Sequence, residues 1–239
     1  MKKTNLSILI PVYNEEEILE KNVMKLIKFL DENFSNYEVI ICSNGSNDKT
    51  NEIGRDLSHI YQGKVKFLSI DRRGVGLAFK EMVSNAKNEK LISLDMDLSI
   101  DMSFILECEK LLDSYDIVIG SKQLGKQNRR FYRKFISDCF ITMVNSLLDL
   151  EFGDYSIAAK GYRKSKILKY LNRVDHGSFY VIDIIFHGKK DNLKLVEVPV
   201  LCEDKRKSKF NLYEEILYRF KNLLKLWISE ILIPRIKAI

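Results

Sequence analysis

The chain has 239 residues, 46% hydrophobic, 30% charged and 10% aromatic, which excludes a disordered or collagen-like protein and supplies enough apolar material for one large α/β domain. Its formal charge of +6 is unevenly placed: residues 1–204 carry 30 basic and 30 acidic side chains, whereas residues 205–239 carry nine basic and three acidic ones. A second basic block, Lys122, Lys126, Arg129, Arg130, Arg133 and Lys134, contains no acidic residue, so two segments need anionic partners or solvent.

In chain order, Leu6 to Val12, Glu38 to Cys42, Val65 to Ile70, Lys90 to Leu94 and Asp116 to Gly120 are short apolar runs of strand length, rich in Ile, Val and Leu. Between them, Glu15 to Asp31, Asp48 to Ile60, Val75 to Ala86 and Phe104 to Leu112 repeat apolar residues every three or four positions, as helices with one buried face do. The alternation predicts a doubly wound, mostly parallel sheet flanked by helices, with its ligand edge at the carboxyl ends of the strands. Beyond residue 120, Arg129 to Leu148 predicts a long amphipathic helix striped by Phe131, Phe135, Cys139, Met143 and Leu147. A strand over Tyr155 to Ala159, a short helix over Ser165 to Leu171, a mixed segment Phe179 to Phe186 and a strand over Leu193 to Leu201 follow. The last helix, Leu212 to Ile231, sets Leu212, Ile216, Phe220, Leu223 and Trp227 on one side.

The amino-terminal apolar run is seven residues long and leads into Tyr13-Asn14-Glu15-Glu16-Glu17, so it is expected to be a strand and not a signal peptide. The most apolar late segment, Leu223 to Ile233, contains Lys225, Ser229 and Glu230, and no bilayer span is expected. Cys42, Cys108, Cys139 and Cys202 form no C-x-x-C pair, which argues against a zinc or dithiol site and fits a reducing compartment. His59, His176 and His187 are scattered and are expected to pack or face solvent.

Three loops carry chemistry. Asp95-Met96-Asp97 follows an apolar strand, where residues i and i+2 project to the same side, so two carboxylates meet at the sheet edge and suit Mg²⁺ or Mn²⁺ completed by water and phosphate. The alternative for this pair is helix capping, for which Ser99 and Asp101 are better placed. Ser43-Asn44-Gly45-Ser46-Asn47-Asp48 is a turn, in which Asn44 offers an amide to a base edge or bonds locally. Arg72-Arg73-Gly74-Val75-Gly76 opens a helix and reads either as a diphosphate cradle or as a solvated basic loop.

Taken in order, these segments resemble the family-2 glycosyltransferases of GT-A fold, most closely the polyprenyl-phosphate sugar synthases. The resemblance runs through Ser7 to Glu16, Asn44 to Thr50, Arg73 to Gly76, Leu94 to Ser99, Ile119 to Lys122, and Glu197 to Val200 before Arg206 to Lys209. It implies a GT-A domain over residues 1–210 (a nucleotide-binding half, 1–120, and an acceptor half, 121–210) and a basic amphipathic tail over 211–239. It also implies metal-dependent, inverting transfer of a sugar from GDP-mannose or a UDP-sugar to dolichyl or polyprenyl phosphate. The alternatives are extension of a glycan or lipid-linked saccharide and, less favoured, a non-catalytic nucleotide-sugar binding module.

By the same resemblance, Pro11, Tyr13 and Glu15, with Asn44, Arg73 and Gly74, hold the nucleotide-sugar, while Asp95 and Asp97 hold the metal and diphosphate. Lys122, Arg133, Ser137 and Arg206 hold the acceptor phosphate. Asp154, accompanied by Lys160, contacts sugar or acceptor, serves as base for a hydroxyl acceptor, or anchors a buried loop. Ser43-Asn44 stands where many relatives carry Asp-Asp, Ser99 where mannose synthases often carry Gln, and Ala158 where a Gly is usual. These departures leave the base and the sugar open. Basic helices with apolar stripes imply a cytoplasmic protein held on the cytoplasmic face of a membrane, with no nucleic acid as partner.

Overall fold

The computed structural model describes residues 2–125, 131–202 and 212–237, with the side chains of 2–4, 131–134 and 212 outside the description. The first half runs β1 (Lys2–Val12), α1 (Leu19–Asn33), β2 (Phe34–Asn44), α2 (Thr50–Ile60), β3 (Val65–Ile70), α3 (Val75–Asn85), β4 (Lys90–Ser93), α4 (Ser103–Leu111) and β5 (Ile117–Ser121). The second half runs α5 (Phe131–Leu148), β6 (Lys160–Arg163), α6 (Lys164–Ile167), a 3₁₀ turn Leu168–Tyr170, α7 (Tyr180–Lys190) and β7 (Leu195–Pro199). It closes with α8 (Leu212–Trp227), a π-helical turn Ile228–Leu232 and α9 (Ile233–Lys237).

The seven strands are ordered β3-β2-β1-β4-β6-β5-β7. All neighbours are parallel except β6, which pairs antiparallel with both β4 and β5. Strand periodicity splits the core in two. On β1, Leu6, Ile8 and Ile10 face one side and Leu9 the other; on β2, Val39 and Ile41 oppose Ile40 and Cys42. One face is covered by α1, α2 and α4 through residues such as Leu26, Leu57 and Ile105. The other is covered by α3, α5, α7 and α8 through Phe79, Val144, Ile184 and Leu223. Burial on both faces is why the strands read as unbroken apolar runs.

Several expectations are corrected. Tyr155 to Ala159 is not a strand: the Asp154 carboxylate accepts the N–H groups of Ser156 (2.8 Å) and Ile157 (3.2 Å), a local turn that competes with the ladder, and the strand begins at Lys160. Phe179 to Phe186 belongs to a helix, α7, whose residues are buried from Tyr180 through Gly188, so no amphipathic period marks it. The stripe expected on α5 is rotated: Ile141, Val144 and Leu148 are buried, while Phe135 is exposed. On the last helix the core side is Leu223 and Leu226, and Phe220 faces outward.

Candidate active site

The strand order turns around between β1 and β4, so the loops leaving these two strands diverge and open a crevice at their carboxyl ends. At this edge stand Pro11 near the end of β1, Tyr13 and Glu15 in the loop after it, Asn44 at the end of β2, and Asp95 and Asp97 in the loop after β4. Asp95 to Leu98 form a turn closed by the Leu98 N–H on the Asp95 carbonyl (3.2 Å), with Leu98 in the left-handed region at φ 47°. Met96 is buried and its carbonyl accepts from the Asn22 side chain of α1 (2.9 Å), which fixes the turn from behind. The extended geometry expected of Asp-x-Asp is thus replaced by a turn.

Asp95 lies on the cleft floor: protein surrounds it, yet its surface is open to solvent. Its carboxyl is pushed up to about 6, first by burial and next by the charge of Asp97, against the pull of Lys122, the Ala158 N–H and Lys160. A carboxyl whose ionisation is opposed by a second carboxylate beside it in an open cleft fits a divalent cation, and no cluster of three or more metal-ligating side chains exists among the described residues. The pair therefore suits a metal whose remaining positions are filled by water and substrate oxygens.

Beneath this floor lies a buried charge cluster. Lys160 on β6 is fully buried and donates to the Ile157 (2.9 Å) and Gly120 (3.2 Å) carbonyls. Burial lowers its ammonium to about 8, with Asp154 opposing that shift. Asp154 is also buried. Burial alone would raise its carboxyl, but Lys122, Lys160 and the Ser156 and Ile157 N–H groups outweigh that and hold it at about 2. Lys122 sets its Nζ 3.7 Å from Asp154 Oδ2, and its backbone N–H donates to the same oxygen (3.3 Å). A sealed carboxylate with this pKa is a poor proton acceptor near neutrality, so of the roles expected for Asp154 the geometry fits the loop anchor. Lys122, expected to meet a phosphate, is spent largely on that anchor.

The loops after β1 and β2 are locked together. Asn14 (φ 53°) donates its N–H to Ser46 Oγ (3.0 Å) and accepts the Asn47 N–H (2.9 Å), while the Glu15 N–H donates to Thr50 Oγ1 (2.7 Å). Asn44 is buried. Its amide donates to the Val12 carbonyl (2.8 Å) and accepts the Gly74 N–H (3.2 Å), so it ties three loops together, the local role of the two expected for it. The Arg73 guanidinium lies 4.3 Å from the centre of the Tyr13 ring, a cation–π contact at the mouth of the crevice.

The glycines of the Arg73 loop answer to packing. A Cβ on Gly76 would sit 2.0 Å from the Asp175 carbonyl oxygen, and one on Gly74 would sit 2.8 Å from that of His176. The Gly76 N–H donates to His176 O (3.2 Å). Loop 174–179, with Lys160 and the Ala158 N–H, is the part of the site that sequence reading left unassigned. A charged residue between Ala159 and Gly161 was the available sign of Lys160.

Ser137 lies on α5 beside Asp138, which accepts from Gln123 of the loop after β5 (2.7 Å). The side chain of Arg133, and all of Arg206, Lys126, Arg129 and Arg130, lie outside the described residues. No helix among the described residues is long and apolar enough to cross a membrane.

The glucosyl-3-phosphoglycerate synthase of Mycobacterium tuberculosis, solved with UDP, superposes with a TM-score of 0.65 at 14% identity, over 95% of this chain and 79% of that one. Its form with Mn²⁺ and UDP-glucose gives 0.68 at 13% identity, over the same shares. These matches show the GT-A fold.

Among curated sequences, glycosyltransferase AglD of Haloferax volcanii is 25% identical over 238 residues, 97% of this chain and 38% of that protein. The undecaprenyl-phosphate 4-deoxy-4-formamido-L-arabinose transferase of Aeromonas hydrophila is 29% identical over 161 residues, 66% of this chain and 49% of that protein. The chain spans about half or less of the length of these relatives. The sequence profile described as glycosyl transferase family 2 matches residues 7–171, and with the fold and the carboxylate pair in place the chain belongs to that family of glycosyltransferases.

Proposed function

We propose that the protein transfers a sugar, with inversion, from a nucleotide-sugar to a polyprenyl phosphate while held at a membrane surface. The observation that carries this reading is the Asp95–Asp97 pair, open to solvent at the switch point of a GT-A sheet above buried Lys160. In this reading Asp95 and Asp97 hold Mg²⁺ or Mn²⁺, which when bound neutralises the departing diphosphate. Lys160 lends fixed positive charge below the pair at no reorganisation cost during the reaction. Tyr13, with Arg73 over its ring, Pro11 and Glu15 flank the nucleoside, and the Asn44 brace keeps that pocket shaped.

The acceptor follows from chemistry. A lipid phosphate is already ionised at neutral pH and needs positioning cations more than a base. Asp154, held ionised and sealed, supports that choice over a hydroxyl acceptor. Arg133, Ser137 and Arg206 are assigned to the acceptor phosphate from sequence, and the similarity to a protein named as an undecaprenyl-phosphate transferase supports the lipid. Incubation of the protein with a panel of nucleotide-sugars, Mn²⁺ and polyprenyl phosphate, read by product mass, tests this. A glycosylated lipid phosphate supports the reading, and a product formed only on saccharide acceptors overturns it.

A further inference from the structure

One peptide unit lies between the buried charge cluster and the open carboxylate pair. The β4–β6 ladder pairs Lys90 with Arg163, Leu91 with Tyr162, Ile92 with Gly161 and Ser93 with Lys160. Carried two residues further, this antiparallel register sets Asp95 opposite Ala158, and the Ala158 N–H acts on the Asp95 carboxyl in favour of its ionised form. In a trans peptide the carbonyl points away from the N–H, and the Ile157 carbonyl of this same unit accepts from the Lys160 ammonium at 2.9 Å. The Ile157–Ala158 peptide therefore has a cation at its oxygen end and an anion at its N–H end.

The surrounding bonds restrain that peptide. Asp154 Oδ1 accepts the Ile157 N–H (3.2 Å) and both the N–H (2.8 Å) and the hydroxyl (3.0 Å) of Ser156. Lys122, just after β5, donates to Ser156 Oγ (3.4 Å). The Gly120 N–H donates to the Ala159 carbonyl (3.0 Å), and the Gly120 carbonyl shares the Lys160 ammonium (3.2 Å). Lys160 and Asp154 are buried, whereas Asp95 is exposed, so the fixed part of the network lies inside and the Ala158 N–H carries it to the open pair. An ammonium on a peptide oxygen polarises the peptide and strengthens its N–H as a donor. A donor held on one oxygen of a carboxylate fixes how the other is aimed, as the outer partners of metal-ligating carboxylates do.

We propose that the Ile157–Ala158 peptide orients Asp95 toward the metal, and that buried Lys160 acts on the metal through this peptide as a positioning residue. This role rests on the reading of Asp95 and Asp97 as the metal pair. The sign of one effect separates it from charge alone. A cation near a metal site repels the metal, so removing Lys160 as a mere charge would leave Mn²⁺ binding unchanged or tighten it. Removing the clamp should weaken it.

Mn²⁺ binding to the full chain, without nucleotide, is read from the loss of the free-ion paramagnetic resonance signal at pH 7, where Asp95 is mostly ionised and Lys160 mostly charged. Lys160→Met should weaken binding by about 10-fold, the lower end for partners of metal-ligating carboxylates. A second protein keeps every side chain: lactic acid incorporated in place of Ala158 turns the N–H into an ester oxygen and should weaken Mn²⁺ likewise. A Lys160 that served folding alone would lower the melting temperature and leave the Mn²⁺ affinity of the folded protein unchanged. Unchanged or tighter binding in Lys160→Met, or parental affinity in the ester protein, overturns the positioning role, and loss of binding in Asp97→Ala then leaves the metal pair standing. Should Lys160→Met fail to fold, the ester protein decides. Parental affinity in Asp97→Ala, or no Mn²⁺ binding by the parent, overturns the metal pair as a site in the free protein and the positioning role with it.

Discussion

Two carboxylates of the site have opposite fates. Asp97 stands in the open turn after β4 and, with Asp95, supplies the negative charge that a metal-assisted departure of diphosphate requires. Asp97→Ala should lower sugar transfer on the order of 10²-fold or more while leaving the melting temperature near that of the parent, because it removes no core contact. Activity within about threefold of the parent would sink the assignment. Asp154, fifty-seven positions on, carries four N–H or O–H donors and the charges of two lysines instead of a ligand. Its folded pKa of about 2 lies below the ordinary carboxylate value of about 3.9, so the stability it contributes is present above pH 4 and is lost as pH falls toward 2. Asp154→Asn should cost about 3 kcal/mol at pH 7, as breaking buried charge pairs does, and should flatten the acid limb of a melting-temperature profile. A profile with the parent's slope below pH 4 would show that the anchor lies elsewhere. The sequence could name Asp154 but not its role, since burial and partners from β5, β6 and loop 154–159 decide it.

At the scale of elements, the first half was legible because each parallel strand and helix has the period its burial demands: five apolar runs became β1 to β5, and four periodic stretches became α1 to α4. The ends were less so, with β1 beginning at Lys2 and α1 at Leu19, where tertiary pairing and the locked Glu15–Thr50 contact overrule the pattern. α7 was illegible because Tyr180 through Gly188 are buried all round and carry no period, and β6 was misplaced because the Asp154 turn holds Tyr155 to Ala159 out of the ladder. The Arg-Gly-Val-Gly segment was read toward a ligand, yet Gly76 is required by the Asp175 carbonyl. Gly76→Ala should therefore cost about 2 kcal/mol or more in denaturant unfolding, and a neutral result would mean that loop 174–179 yields freely. The tail is likewise part of the fold. Leu223 is fully buried, so Leu223→Ala should cost about 3 kcal/mol, whereas Leu217→Ser on the same helix should fall within about 0.5 kcal/mol. Equal effects would show that α8 is not seated as described. Removing residues 211–239 should thus weaken the whole domain and not merely free a peripheral anchor.

For the whole molecule, the charge asymmetry gains a structural meaning. The neutral first 204 residues build a sheet whose switch-point crevice concentrates Asp95, Asp97 and a buried lysine, whereas four of the nine basic residues of the tail, Lys205, Arg206, Lys207 and Lys209, lie outside the described residues and α8 itself carries three basic and two acidic side chains. Family, fold and enzyme class stand on the sequence profile, the strand order and the carboxylate pair, whereas donor, acceptor and membrane remain the claim to be tested. The most direct measurement is the mass of lipid products after incubation with each nucleotide-sugar, Mn²⁺ and polyprenyl phosphate, in parallel with chelator and with Asp97→Ala. The account predicts one sugar added to the lipid phosphate, absent in both controls. A product that persists in chelator and in Asp97→Ala, or one formed on saccharides and never on lipid phosphate, would contradict it.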